Sequence, residues 1–88
     1  MTWKVEFDIT VEKDFSKLNT TARKKIINYL EKRIATPSDP RRFGKALKGS
    51  YKGLWRNRVD DYRIICRIED SKMTVLVIKA GHRKKVYQ

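Results

Sequence analysis

The sequence predicts an α+β fold in which a helical hairpin packs on one face of a mostly antiparallel, four-stranded sheet. Three observations lead to this prediction. Apolar and polar residues alternate at the amino end, apolar residues then recur at helical spacing, and three strand-like segments complete the chain. This β-α-α-β-β-β order is typical of α+β proteins. With 88 residues, the chain predicts one domain over 1–88.

The first strand is indicated by apolar residues that alternate with polar ones from Trp3 to Ile9. We expect Thr10 to cap a short helix, because its side chain can accept from the first free backbone N–H groups. The apolar positions of that helix, Val11 to Leu18, recur at spacings of four and three. The polar residues that follow predict its end.

A second helix is indicated by an apolar stripe from Ala22 to Ile34, with basic side chains elsewhere around it. Pro37 predicts its end, because the residue before a proline disfavours helical dihedrals. The segment from Ser38 to Ser50 predicts a connector with one possible helical turn near Phe43.

Three further strands are predicted from Leu54 to Val59, Tyr62 to Glu69 and Met73 to Ala80. Asp60-Asp61 predicts a two-residue hairpin turn between the first two, although it lacks the preferred glycine. The last segment is apolar on both faces, as expected of a central strand.

The composition is strongly basic. Twenty-two Lys and Arg against ten Asp and Glu give a formal net charge of +12, which indicates a polyanionic ligand. Nucleic acid is the first candidate, although an acidic protein or an anionic membrane surface satisfies the same charge. Cys66 is the only cysteine, so an intramolecular disulfide and a multi-cysteine zinc site are excluded and a core thiol is expected. Without a signal-like or membrane-spanning run, we expect a cytoplasmic protein with no cofactor, metal or membrane partner.

The hairpin register predicts which side chains share a face. With Asp60-Asp61 as the turn, Arg58 lies opposite Arg63. The side chains that then point away from the helices are Arg56, Arg58, Arg63, Arg67 and Glu69. Like charges opposite each other destabilise a sheet by up to about 1 kcal/mol, and a bound phosphate would reverse that effect. The alternative is that these arginines are solvated or pair with neighbouring carboxylates.

The tail, residues 81–87, holds the only histidine of the chain together with Arg83 and Tyr87. A histidine exchanges protons near neutral pH, and a tyrosine ring stacks on a base or orients a nucleophile. A lone histidine near a terminus is, however, more often a bystander.

Two motifs in this half of the chain, LWRNRVDDYRI at 54–64 and AGHRKKVY at 80–87, resemble the RelE/ParE toxin superfamily, and in particular its RelE-like branch. The preceding β-α-α order extends the resemblance to nearly the whole chain.

The resemblance implies the toxin of a type II toxin–antitoxin system. It implies a metal-independent endoribonuclease, an mRNA interferase that cleaves the messenger in the ribosomal A site. Attack by the ribose 2′-hydroxyl would leave a 2′,3′-cyclic phosphate, and translation inhibition would arrest growth. The implied partners are ribosome-bound mRNA, 16S ribosomal RNA and a cognate antitoxin with an acidic toxin-binding segment.

The resemblance also implies a catalytic set, namely Arg56, Arg63, His82, Arg83 and Tyr87. The arginines would stabilise the negative charge on phosphorus, His82 would be the acid and Tyr87 would orient or stack. The general base stays open, because the lysine that some relatives use on the first hairpin strand aligns with Leu54 or Arg56, and arginine is a poor base. The remaining choices are Lys52, or water together with the ribosome. Further RNA contacts are expected from Lys52, Arg58, Arg67, Lys84 and Lys85.

Two alternatives remain at this point. The ParE branch of the superfamily inhibits DNA gyrase without cutting RNA, and it usually lacks the full basic set. A non-catalytic RNA-binding or ribosome-binding module would also explain the charge and the exposed arginines.

Overall fold

The computed structural model describes residues 1–87, which form one layer of helices on one five-stranded sheet. The longer elements are, in chain order, β1 (Lys4–Phe7), α1 (Val11–Ser16), α2 (Thr20–Tyr29), β2 (Lys45–Ala46), β3 (Trp55–Val59), β4 (Tyr62–Glu69) and β5 (Thr74–His82). Short helical turns join them: a π-helical turn at Leu30–Ile34 and 3₁₀ turns at Pro40–Phe43, Gly49–Tyr51 and Asp70–Lys72. The predicted α+β class is confirmed, and the predicted elements occur in the expected order with one short strand, β2, added between the helices and the hairpin.

The strand order is β1-β5-β4-β3-β2, antiparallel except for the parallel pair β1–β5. The sheet thus has one strand more than predicted. The additional strand lies in the segment predicted as a connector, where Lys45 pairs with Arg56 and Ala46 with Trp55. Two residues are too few to show the alternation that identifies a strand, so this edge was not detectable from the sequence.

The start of α1 differs from the prediction. Thr10 has helical dihedrals (φ −65°, ψ −26°) and makes no capping hydrogen bond, because its hydroxyl is engaged with the Asp8 carboxylate. That carboxylate also accepts from the Thr10 N–H at 3.2 Å. Asn19 is the residue that caps a helix, since its side-chain oxygen accepts from the Ala22 N–H at 2.8 Å.

The apolar stripe of α2 reaches Ile34 as predicted, with its last turn widened into a π-helix. Ile26, Leu30 and Ile34 are buried against the central strands. Cys66 is the predicted core thiol, and burial raises its pKa to about 12. Within residues 1–87, no helix has the length and apolarity required to cross a membrane.

The predicted hairpin register is confirmed residue for residue, with Arg58 opposite Arg63 and Val59 opposite Tyr62. Asp60 supplies the positive φ of the turn (53°) that a glycine usually provides. The last strand is longer than predicted and ends at His82 instead of Ala80. A bulge between Ile65 and Cys66 shifts its pairing with β4 by one residue.

Candidate functional site

The predicted arginines share the sheet surface that lies away from the helices, which we call the arginine face. Arg63 lies between Arg58 on β3 and Gly81 on β5. The neighbouring row holds Lys45, Arg56, Ile65 and Lys79. Cross-strand partners point to the same side of a sheet. Arg58 is therefore beside Arg63, and Lys45, Arg56 and Lys79 lie one row away on the same face. The face therefore concentrates positive charge around the middle of the sheet.

The carboxylates near the hairpin are engaged elsewhere. Asp60 pairs with Lys25 of α2 at 2.7 Å, and Glu69 pairs with Lys72 at 3.5 Å. Asp61 lies 3.9 Å from the Arg83 Nε. Among residues 1–87, no ion pair reaches the three hairpin arginines. Within residues 1–87, the hairpin arginines therefore do not pair with neighbouring carboxylates, which was one of the two alternatives considered for them.

The Arg63 side chain is held in place by backbone carbonyls. Its Nη1 donates to the Asp60 oxygen at 3.0 Å and to the Tyr62 oxygen at 2.9 Å. The pKa of Arg63 is lowered, first by burial and then by the positive charges of Arg58 and the other arginines nearby. An anion bound here would relieve both effects, since it supplies a counter-charge and hydrogen-bond acceptors.

Arg56, on the same face, holds a buried donor that the protein does not use. Its Nε is buried and has no hydrogen-bond partner within residues 1–87. A buried donor without a partner costs about 1–3 kcal/mol, so an acceptor that reached this nitrogen would stabilise the protein. Arg56 is thus the predicted site residue for which an unpaired buried donor is found within residues 1–87.

The tail folds back onto the end of β5. The N–H groups of Lys85 and Val86 donate to the His82 oxygen at 2.8 and 3.0 Å, and the Arg83 N–H donates to the Asp61 oxygen at 2.8 Å. Val86 is buried, 2% exposed. The turn brings Arg83 close enough to Arg63 to lower its pKa, so the predicted link between tail and hairpin exists.

Tyr87 reaches the arginine face and meets a residue that sequence reasoning missed. Its ring lies 5.5 Å from that of Tyr51 at an interplanar angle of 72°. The Lys79 ammonium lies 5.9 Å from the Tyr51 centroid. Lys79 had a signal, since it is a charged residue inside an otherwise apolar strand. Tyr51 had none, because its position depends on a short 3₁₀ turn.

His82 lies on the opposite side of the sheet. It pairs with Tyr62, and the two rings meet edge to face at 5.8 Å on the side that the helices cover. There it lines a cleft of about 770 Å³ together with Asp14 and Leu18 of the helical layer. Its Nδ1 accepts from the Lys84 N–H at 3.2 Å. The structure therefore does not bring His82 together with the arginines, contrary to the predicted grouping.

The remaining predicted RNA contacts are all exposed at the surface. Arg58 and Arg67 lie on the arginine face, the latter opposite Leu76. Lys52 follows the 3₁₀ turn that carries Tyr51. Lys84 and Lys85 line the His82 cleft, so they extend the basic surface around the edge of the sheet.

Comparison with known proteins gives a consistent family. Residues 5–87 match the model of the ParE toxin of type II toxin–antitoxin systems. The curated toxin RelG of Mycobacterium tuberculosis is 27% identical over 88 residues, which cover 100% of this chain and 99% of RelG.

Solved structures agree on the fold. The M. tuberculosis toxin–antitoxin complex RelBE2 contains a chain with a TM-score of 0.85 and 26% identity, with 94% of this chain and 93% of that chain covered. A mutant of the Escherichia coli toxin RelE in the free state gives a TM-score of 0.72 at 23% identity. The match covers 96% of this chain and 86% of that chain.

Proposed function

This chain belongs to the ParE toxin family of type II toxin–antitoxin systems, and from that premise we propose that it is a metal-independent endoribonuclease that cleaves messenger RNA in the ribosomal A site. The observation that carries the proposal is the convergence of Arg56, Arg63, Arg83 and Tyr87 on one face, where within residues 1–87 no carboxylate pairs with Arg56 or Arg63. Such a face suits a phosphodiester.

The proposed reaction is an internal transfer at phosphorus. The ribose 2′-oxygen attacks the phosphorus and loses its proton to a base, while the bond to the 5′-oxygen breaks and that oxygen takes a proton from an acid. A 2′,3′-cyclic phosphate and a 5′-hydroxyl remain. Guanidiniums at the phosphate stabilise the added negative charge, each at about 3–4 kcal/mol in a preorganised site. Arg63, fixed by two carbonyls, meets that requirement.

Proton transfer is assigned to groups on the arginine face. Lys79 and Tyr87 are two of the side chains that accompany the arginines there and can exchange a proton. Lys52 lies on the adjoining loop and remains a proposed base. Because the His82 ring lies on the other side of the sheet, we assign it to holding the tail through its hydrogen bond with Lys84, not to direct proton transfer.

The proposed partners follow from the same surface. Ribosome-bound messenger and 16S ribosomal RNA supply the polyanion that a net charge of +12 favours, and both place the protein in the cytoplasm. The RelBE2 chain was solved in a toxin–antitoxin complex. By analogy, we propose a cognate antitoxin whose acidic segment neutralises the basic surface of this chain.

The test is primer extension on messenger from cells that express the protein. Wild type is expected to arrest growth and to give cuts in register with codons. Arg83→Ala combined with Tyr87→Ala should abolish the cuts while ribosome binding is largely kept, because both side chains are exposed and the core is unchanged. Persistence of the cuts in the double variant contradicts the site assignment.

The matched family model, named for ParE, supports one alternative, which is inhibition of DNA gyrase. A supercoiling assay with the purified protein separates the two. Gyrase inhibition together with intact ribosome-bound messenger would replace the nuclease proposal. Ribosome binding with neither activity would instead indicate a non-catalytic module.

A further inference from the structure

A second basic surface lies at the β2 edge of the sheet, outside the candidate site. Phe43 ends a 3₁₀ turn and is 42% exposed. The Arg42 Cζ lies 4.7 Å from the centroid of its ring, and the Arg33 Cζ lies 5.3 Å from it. We call these three residues the β2-edge patch.

A neighbouring arginine shows what is unusual about this patch. Arg41 also lies against an aromatic ring, that of Trp55 at 5.6 Å. Its guanidinium, however, pairs with Asp70 at 2.6 Å and Asp39 at 3.2 Å, and these contacts raise its pKa. The structure therefore neutralises one arginine of this corner internally.

Arg33 and Arg42 have no such partner. Among residues 1–87, no carboxylate lies within ion-pair distance of either side chain. Since both guanidiniums contact one ring, they lie at most about 10 Å apart, comparable to the Debye length of about 8–10 Å. Their mutual repulsion is thus only partly screened, and negative charge bound next to both guanidiniums would reduce it.

The ring also prepares the two arginines for a ligand. A guanidinium stacked on an aromatic face loses rotational freedom but keeps its N–H edges available. Phosphate oxygens accept from such edges in pairs. The exposed part of the Phe43 ring offers an apolar contact for a base or sugar. Basic groups combined with aromatic rings are typical of proteins that bind single-stranded nucleic acid.

The patch continues the arginine face instead of standing alone. Lys45 lies opposite Arg56 on the same side of the sheet, and Phe43 precedes Lys45 by two residues. The basic side chains Lys79, Arg56 and Lys45 thus lie in one row that ends at the β2 edge, and the patch adjoins that edge through the 3₁₀ turn before β2. An RNA strand with one phosphate at Arg56 has a charged path in this direction.

We infer that Arg33, Arg42 and Phe43 bind the phosphate backbone of the same RNA strand, several nucleotides away from the phosphate held by Arg56 and Arg63. This inference rests on the proposed function, because it requires RNA on the arginine face. It adds a second contact region that sets how long a stretch of RNA the protein holds.

The experiment measures binding of 2′-O-methyl RNA, which lacks the attacking hydroxyl and is not cut. Two lengths are compared, about three and about ten nucleotides. Wild type should bind the longer RNA more tightly. The double variant Arg33→Gln, Arg42→Gln should lose most of that gain, about tenfold, and leave the short RNA unaffected. The slope of log K against log salt concentration for the longer RNA should become less steep by about 0.7 per lost phosphate contact.

Matched controls separate this effect from general charge. The variant Lys4→Gln, Lys13→Gln also removes two positive charges, but it removes them from β1 and α1. β1 is the edge of the sheet opposite to β2. This variant should keep the length gain. Phe43→Leu should reduce the gain partly, because it keeps apolar bulk but removes the ring. Thermal unfolding confirms that each variant is folded.

Each outcome is decisive. Equal length gains in wild type and the Arg33, Arg42 double variant would overturn the inference while leaving the proposed function intact. The inference would also be overturned if wild type and the double variant bound RNA equally but the double variant no longer bound an acidic antitoxin peptide. The patch would then be a contact for a protein. Absence of RNA binding by wild type at either length would overturn the proposed function and the inference together.

Discussion

Arg58 and Arg63 face each other across two strands, and among residues 1–87 neither of them pairs with a carboxylate. The chain contains suitable acids, but Asp60 pairs with a helix lysine and Asp61 lies beside Arg83. The local cost of the arginine pair, up to about 1 kcal/mol, is therefore not relieved inside the protein. At the residue scale, the site is a set of charges prepared for an external anion.

His82 gives a residue-scale prediction about how the tail is held. His82→Ala removes the acceptor for the Lys84 N–H and should lower cleavage, whereas the side-chain oxygen of His82→Asn can replace Nδ1. We expect the Asn variant to keep most of the activity and an unchanged pH profile. Equal loss in both variants, together with a changed pH profile of cleavage, would instead assign His82 to proton transfer.

Cys66 and Tyr29 predict lower stability at alkaline pH. Burial raises the pKa of Cys66 from 9.0 to about 12 and that of Tyr29 from 10.0 to about 12. The folded state therefore holds more protons than the unfolded state between these values. Their stabilisation is complete below about pH 9 and is lost as the pH rises towards about 12, with a slope of at most about 1.4 kcal/mol per unit and group.

The check is urea unfolding of wild type and Cys66→Ala at several pH values from about 8 to about 10.5. The free energy of unfolding should fall less steeply in the variant. Lysine titration affects both proteins alike, so the difference between the slopes reports the thiol. Parallel slopes would show that Cys66 is not protonated preferentially in the folded state.

At the element scale, β3 positions the site because it is fixed on both sides. The Tyr29 hydroxyl of α2 donates to the Asn57 side-chain oxygen at 2.6 Å on the helix side. On its edge, β2 approaches closely because Gly44 lacks a side chain. A Cβ at Gly44 would lie 2.9 Å from the Arg56 oxygen and 3.3 Å from the Asn57 Nδ2. Arg56 and Arg58 flank Asn57 and are held with it.

Gly44→Ala is therefore expected to destabilise the fold by about 1–3 kcal/mol, because the methyl group meets backbone that cannot move alone. Gly81→Ala is the matched control, since its Cβ would lie 3.7 Å from the Val86 Cα, an ordinary contact. Urea unfolding should show a large change for the first variant and a small one for the second. Similar changes would mean that β2 moves away from β3 without cost.

The sequence predicted the elements whose patterns repeat. The hairpin register followed from one turn and a period of two, and it placed Arg58 opposite Arg63 correctly. The sequence pattern did not predict β2, which is too short to show alternation, and it did not predict that Asn19 caps α2. It also grouped His82 with the arginines, because adjacency in sequence does not tell which side of a strand a terminal residue faces.

At the scale of the whole molecule, a net charge of +12 on 88 residues must repel itself. We predict that salt stabilises the free protein. Raising the ionic strength from about 0.01 to about 0.1 M shortens the Debye length from about 30 to about 10 Å. Tm should rise by several degrees, since 1 kcal/mol corresponds to about 4–8 °C in a domain of this size.

A thermal unfolding series in sodium chloride checks this, with a neutral osmolyte as the control for general solvent effects. The Lys4→Gln, Lys13→Gln variant carries two charges fewer and should show a smaller rise. A Tm that does not change with salt would indicate that the ion pairs of the folded state already offset the repulsion.

The position of β5 in the sheet has a consequence for synthesis. This strand is the last one made, yet it lies between β1, the first, and β4. A growing chain that has exposed only its first seventy residues has no partner for β1 and no support for the helices that pack there. The complete five-stranded sheet can therefore form only after β5, up to His82, has left the exit tunnel.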